Sequence, residues 1–478
     1  MAIDPGLRRL ALGTLLAAFP GGTAPDWAVA LLTEGLAGHT LFGTNVADPA
    51  QLSRLTARLR EGRPDAVIAI DEEGGDVTRL AHRTGSPYPG NAALGAVDDE
   101  KLTHEVYAAI GADLVAAGVN LDLAPTVDVN TADDNPIIGT RSFGADPLLV
   151  ARHARAAVDG LQSTGVAACA KHFPGHGATV ADSHLSLPTV DVTPELLRNR
   201  DLPPFAAVAG SARAVMSAHI RVPALTGDDP ATFSSAVLND LLRGEYGFRG
   251  VIVTDALEMA GAAASAGSIP RAAVRALTAG ADLLCIGAKV DAALVEAVAA
   301  EIATSVPAAR LEEAVARVAA MTSWTAQHRS LRPYDESLGL AAARRAVHIE
   351  GSLDELVSPL VVQLGSGHSI AEGPVPWGLG PHLEGAEQVE VVPGSADAAE
   401  LTAYAGTRPI IVVGRHAHRR SASRDLIEAL AATHPVGVVE MGWPSSWRPR
   451  AAKAFLTTFG ASRANARAAA EALGIADR

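Results

Sequence analysis

Gly165-Val166-Ala167-Ala168-Cys169-Ala170-Lys171-His172-Phe173-Pro174-Gly175-His176-Gly177-Ala178-Thr179-Val180-Ala181-Asp182-Ser183-His184 decides the reading of this chain. Its apolar first part predicts a buried parallel strand. The chain then presents a lysine, three histidines and an aspartate, and the proline and glycines among them predict an irregular loop. A polar loop at the carboxyl end of a core strand is where α/β enzymes keep their chemistry.

The same alternation recurs up to about residue 290. Short apolar runs lie at Ala11–Phe19, Gly38–Phe42, Ala66–Ile70, Gly118–Leu123, Val166–Ala170, Ala214–Ala218, Gly250–Thr254 and Ala281–Ile286. Amphipathic stretches such as Leu52–Leu59, Glu105–Ala117, Leu149–Gln162 and Ile269–Ala279 separate them. Eight strands alternating with helices predict a (β/α)8 TIM-type barrel. An open doubly wound sheet is the alternative, but no Gly-x-Gly-x-x-Gly fingerprint follows the first run. Ionisable residues follow five of the runs: Asp71-Glu72-Glu73, Asp128, Lys171-His172, His219 and Asp255. That is the face on which barrel enzymes build their sites.

With 478 residues the chain exceeds the usual reach of one hydrophobic core, so a second domain is expected. A helix from Pro307 to about Gln327 ends the barrel, giving a catalytic domain over 1–328. Residues 329–345 read as a linker. Over 346–478, strands Leu360–Leu364, Gln388–Val392, Pro409–Val413, Val436–Glu440 and Ala454–Thr458 alternate with helices, notably Arg424–Thr433 and Arg463–Leu473. This predicts a smaller three-layer α/β sandwich.

A net charge of −14 without a basic run argues against nucleic acid as a partner. Cys169 and Cys285 sit in apolar runs, so both are expected to be buried core thiols. A disulfide framework and a zinc spacing are excluded, which fits a reducing, cytoplasmic setting. Leu7 to Pro20 superficially resembles a leader, yet its apolar part is only about ten residues long, too short to span a bilayer. It is read as the first strand, and no membrane partner is expected.

Asp255 ends an apolar strand, where a carboxylate can be a covalent nucleophile, a base, a metal ligand or a helix cap. Asp182-x-His184 pairs an imidazole with a carboxylate that can fix its tautomer, a combination suited to moving protons; simple packing in the loop is the alternative. Lys171, His172, Arg79 and Arg141 are donors near strand ends that suit a polar ligand or, individually, a surface ion pair. Asp71 can accept from sugar hydroxyls, while Glu72 and Glu73 are assigned to the scaffold. The histidines with Asp255 also invite a metal reading, but metal-dependent barrel hydrolases typically carry His-x-His after the first strand, where this chain has Phe19-Pro20-Gly21-Gly22. No metal or cofactor is expected. A non-catalytic sugar-binding protein is the remaining alternative.

Together these residues resemble glycoside hydrolase family 3, in its β-N-acetylglucosaminidase (β-N-acetylhexosaminidase) branch. The matching segments are Asp71-Glu72-Glu73-Gly74-Gly75 with Arg79, Gly139-Thr140-Arg141-Ser142-Phe143, Lys171 to Gly177, Asp182-Ser183-His184, Met216-Ser217-Ala218-His219 and Gly247 to Asp255. The resemblance implies a retaining, exo-acting hydrolase of terminal β-linked N-acetylglucosamine, acting on a small carbohydrate. It implies Asp255 as nucleophile, His184 as general acid/base and Asp182 as its partner. It further implies Asp71, Arg79, Arg141, Lys171 and His172 around the first sugar, with Met216 and His219 lining the same pocket. Phosphate replacing water, as the one co-substrate, is the alternative outcome, because a histidine base does not repel an anion as a carboxylate does. Cell-wall fragments, chitin oligosaccharides and glycoconjugates all present the same terminal sugar. The family pattern usually continues Glu-Gly-Gly-Arg, whereas Asp76 stands here.

Overall fold

A computed structural model describes residues 4–287, 290–331, 334–335 and 337–476. The chain divides into two compact units. The first comprises Met1–Glu73, Glu100–Ile138 and Gly144–Asp335, and the second Gly74–Asp99, Gly139–Phe143 and Glu336–Arg478.

The first unit is the expected barrel. Its strands are β1 (Leu15–Ala17), β2 (Gly38–Leu41), β3 (Val67–Ile70), β4 (Leu121–Asp122), β5 (Ala167–Phe173), β6 (Ala214–Ser217), β7 (Val251–Thr254) and β8 (Leu284–Cys285). All neighbours pair in parallel, in the order β7-β6-β5-β4-β3-β2-β1-β8. A bridge between Val253 and Leu283 joins the two ends. Inward residues such as Leu16, Val67, Ala69, Leu121, Ala167, Cys169, Val251 and Val253 form the core. Cys169 and Cys285 are free and buried, as expected. Helix starts are strongly marked in sequence: Asp4-Pro5, Asp48-Pro49, Asp146-Pro147 and Thr193-Pro194 each pair a capping side chain with proline in the first turn. Each cap is worth about 1 kcal/mol.

Three expectations about elements need correction. The run Ala11–Phe19 is not one strand: a helix, Pro5–Leu12, precedes the short β1. The last two helical residues, Ala11 and Leu12, are as buried as β1, so the apolar run hides the break between helix and strand. β5 does not stop at Ala170 but continues to Phe173. There the Lys171 N–H donates to the Pro125 carbonyl (3.1 Å), and the Lys171 and Phe173 carbonyls accept from Val127 (2.7 Å) and Ala218 (2.8 Å), so flanking segments complete the ladder. The stretch read as a linker contains a helix, Leu338–Ala346; residues 332, 333 and 336 of it lie outside the described residues.

The second unit holds a six-stranded sheet of β9 (His348–Gly351), β10 (Leu360–Leu364), β11 (Gln388–Val391), β12 (Ile410–Gly414), β13 (Val436–Glu440) and β14 (Ala454–Thr457). Their order is β11-β10-β12-β13-β14-β9. Only β9 is antiparallel; its His-Ile-Glu-Gly sequence is largely exposed and carries no apolar run, so the sequence reading missed it. Alternate residues face opposite sides. Val361, Ile411, Val413 and Val439 share a cluster with Ala466 and Ala469 of the helix Arg463–Ala472. Val362, Ile410, Val412 and Val438 share another with Leu426, Ile427 and Leu430 of Ser421–Thr433. This is the expected three-layer sandwich.

Candidate active site

The exits of β3, β5 and β7 carry the central groups of the barrel. Lys171 on β5 is almost fully buried, and its Nζ lies 2.7 Å from both Asp71 Oδ1 and Glu73 Oε1. Two carboxylates thus compensate one buried ammonium, which burial would otherwise penalise. Of the three, Asp71 is the most exposed, at 19 %. Glu73, assigned to the scaffold from sequence, holds Lys171 in place.

His172 follows on the same strand. Its Nδ1 is 2.7 Å from Asp128 Oδ2, and its N–H donates to Asp128 Oδ1 (3.2 Å). Asp128 Oδ1 also accepts the His176 N–H at 2.6 Å. Burial would raise the Asp128 pKa, but His172 and His176 outweigh it and hold the carboxyl below its ordinary range. Asp128 was visible in sequence only as one more acid after a strand; its place beneath both histidines was not.

Beyond β5 the chain turns sharply. Gly177 packs so closely on the segment after β4 that an added Cβ would lie 1.9 Å from the Val129 carbonyl oxygen. The loop then delivers Asp182 and His184. Asp182 Oδ1 is 2.7 Å from His184 Nδ1 and also accepts the His184 N–H at 2.9 Å. Burial acts to raise the Asp182 pKa, yet its hydrogen bonds with His184 bring it below the usual value. With Nδ1 committed to a carboxylate, proton exchange with a ligand falls to Nε2.

Asp255 leaves the end of β7, its N–H donating to the Ser217 carbonyl (3.2 Å) and its Oδ1 accepting from Ala256 N (2.8 Å). Burial pushes its pKa up, but His219, His172 and His184 together pull it below the ordinary value. The carboxylate is therefore ionised at neutral pH, within the field of three imidazoles. His219 is fully buried: its Nε2 donates to the Ala256 carbonyl (3.0 Å) and its Nδ1 meets Thr232 Oγ1 (2.9 Å). Both ring nitrogens are thus engaged, and the imidazole props the turn after Asp255. Met216 is likewise a core residue, since alternation on β6 turns Ala214 and Met216 into the barrel interior.

Arg79 and Arg141 belong to the second unit. The Arg79 guanidinium donates to the carbonyls of Glu372 (3.2 Å) and Ala371 (2.7 Å). The Arg141 carbonyl accepts from Asn91 Nδ2 at 2.7 Å. Asp76 is buried in the same unit: Oδ2 accepts the Thr140 hydroxyl (2.7 Å) and lies 3.4 Å from Arg415, and Oδ1 accepts the Ala461 N–H (2.7 Å). Among the described residues, no three His, Cys, Asp or Glu side chains are arranged to hold a metal ion.

A buried ammonium between carboxylates, an ionised strand-end aspartate and a histidine–aspartate pair suit covalent glycosyl transfer with proton relay. Residues 22–321 match the glycosyl hydrolase family 3 N terminal domain. A β-hexosaminidase of Xylella fastidiosa is 40 % identical over 269 residues, covering 55 % of this chain and 78 % of that protein. Beta-hexosaminidase A of Pseudoalteromonas piscicida is 38 % identical over 259 residues, which is 50 % of this chain but only 43 % of that longer protein. Among solved structures, a glycoside hydrolase family 3 β-N-acetylglucosaminidase from Paenibacillus sp. superposes with a TM-score of 0.87 and 32 % identity, over 100 % of this chain and 98 % of that one. By sequence and by fold, the chain belongs to glycosyl hydrolase family 3.

Proposed function

We propose that the protein is a retaining, exo-acting glycoside hydrolase that removes terminal β-linked N-acetylglucosamine through a covalent intermediate on Asp255. The observation that carries this reading is the ionised Asp255 at the β7 exit within the field of His184, whose Nδ1 is held by Asp182. In the first step the Asp255 carboxylate bonds to the anomeric carbon while the His184 imidazolium gives its proton to the departing oxygen. In the second, neutral His184 takes a proton from water, which attacks the same carbon and releases Asp255. Two inversions give net retention. Asp71, Lys171 and His172 hold the sugar hydroxyls from the rigid strand ends; Arg79 and Arg141 keep the sugar-binding role implied by the family motif as a proposal. Fragments from cell-wall or chitin turnover, met in the cytoplasm, are the substrates we favour.

The test is release of the aryl group from an aryl β-N-acetylglucosaminide, with product anomer detection, with and without phosphate. Wild-type protein should give the β-configured sugar, and Asp255→Ala should lose at least about 10³-fold in rate. Normal turnover by Asp255→Ala rejects the mechanism; sugar 1-phosphate as the main product replaces water with phosphate as acceptor.

A further inference from the structure

His176 lies just beyond β5, between Lys171 and His184, yet neither the proton transfers nor the sugar contacts use it. Its imidazole is buried, with Nδ1 2.7 Å from Thr179 Oγ1 and Nε2 3.1 Å from Ser183 Oγ. Hydrogen-bond accounting sets its tautomer. The Thr179 hydroxyl donates to the His176 carbonyl at 3.0 Å, so its oxygen accepts from Nδ1–H. Nε2 is then the acceptor and receives the Ser183 hydroxyl proton. Burial, opposed by Asp128, lowers the ring pKa to about 4, so this neutral form persists at ordinary pH.

The ring is itself anchored. Its main-chain N–H donates to Asp128 (2.6 Å), and its carbonyl accepts from Asn135 Nδ2 (3.0 Å). On the far side, the Ser183 carbonyl accepts the Gly261 N–H at 3.2 Å, in the helix that follows β7. A Cβ at Gly261 would meet the Ser183 carbonyl at 3.2 Å and the His219 carbonyl at 3.0 Å, so the loop rests directly on that helix. Ser183 stands between Asp182 and His184 in sequence. Its side chain is tied to the β5 exit and its main chain to the β7 exit.

We infer that His176 and Ser183 are positioning residues: His176, through Ser183, sets the Asp182–His184 pair at a fixed distance from Asp255. The inference rests on the proposed role of His184. A loop held at one end alone would let the imidazole wander, and a misplacement of about 1 Å costs on the order of 10²-fold in rate. The effect belongs only to steps that need His184 as acid. Leaving groups that depart unaided do not feel it.

The experiment compares wild type, Ser183→Ala, His184→Ala and the double variant by kcat/KM, which reports the first chemical step. One substrate carries an alkyl or sugar leaving group, the other a dinitrophenyl group. Ser183→Ala should lose roughly 10- to 100-fold on the first and under about threefold on the second. The double variant should match His184→Ala on both, because a pivot has nothing left to position. Equal losses on both substrates, multiplicative losses in the double variant, or wild-type rates in Ser183→Ala each overturn the inference. Failure of the underlying reading looks different: His184→Ala itself would then show no dependence on leaving group.

Discussion

Replacing Asp182 with asparagine keeps the shape of the acid/base pair and removes its charge. The two side chains sit 2.7 Å apart and remain 14 % and 22 % exposed. Full Coulomb attraction between charges about 4 Å apart at an effective dielectric near 20 is about 4 kcal/mol, and the partial exposure screens part of that. A charge-assisted hydrogen bond contributes about 1.5–3 kcal/mol net, a neutral one about 0.5–1.5, so the swap forfeits roughly 1.4 kcal/mol. That is a factor of about ten in the imidazole protonation equilibrium. In the proposed mechanism the acid form of His184 protonates the departing oxygen. The high-pH limb of kcat/KM on a poor leaving group should therefore move down by about one pH unit in Asp182→Asn. Well below that limb the variant should match wild type, and above it should be about tenfold slower. The low-pH limb, set by an Asp255 held below the ordinary carboxylate value, should not move. Full pH profiles on the two classes of leaving group provide the assay. A uniform loss at every pH, or the same shift on a dinitrophenyl substrate, would refute the view that Asp182 works by stabilising the imidazolium.

Gly261→Ala should lower kcat/KM on poor leaving groups by roughly tenfold, since the Ser183 and His219 carbonyls must yield a few tenths of an ångström. Its unfolding midpoint should hold or rise, because alanine favours a helix over glycine, so a parallel loss of stability would count against the argument. His39 and His176 are both lowered to about 4 by burial, against an unfolded value near 6.5. The unfolded chain binds these protons first, so stability is full above about pH 6.5 and falls as pH drops towards 4, by up to roughly 3 kcal/mol for each ring; denaturant midpoints across this range should show the slope, and His176→Gln should flatten it. Asp76→Arg should cost about 3–5 kcal/mol, because two buried guanidinium groups would then share Glu372 as their carboxylate, measured by thermal unfolding, whereas an unchanged midpoint would deny Asp76 any structural role.

The barrel was legible because its signals are local. Strands buried on both faces read as unbroken apolar runs, and capped, proline-led helices punctuate them. Ends of elements were less legible where the deciding partner is remote in sequence. Nothing in Lys171-His172-Phe173-Pro174 announces a strand; the Pro125, Val127 and Ala218 main chains make it one. The same limit applies to β9, which exists because β14 offers it an edge.

Chemistry at the strand ends was legible as residue type and position, but the division of labour was not. Two histidines of similar appearance, His172 and His176, hang from one Asp128, and only the partners of each ring separate a sugar-facing candidate from a buried strut. His219 and Met216 share a motif, yet Met216 packs in the barrel core while His219 is hydrogen-bonded to the Ala256 carbonyl beside Asp255. The departure at Asp76 shows how such a substitution is absorbed. The resemblance implied an arginine there; here the carboxylate collects the Thr140 hydroxyl and the Ala461 N–H, and Arg415, 5.5 Å over Trp377, brings a guanidinium from a loop more than 300 positions later. The carboxylate at position 76 thus lies beside a buried guanidinium of the same unit. Thr140 precedes Arg141, so the Asp76 carboxylate also fixes the segment that carries an arginine proposed to bind sugar. Because Glu372 also lies 2.9 Å from Arg415, loss of Asp76 leaves that guanidinium one carboxylate, and the Thr140–Arg141 segment should be disturbed before the barrel.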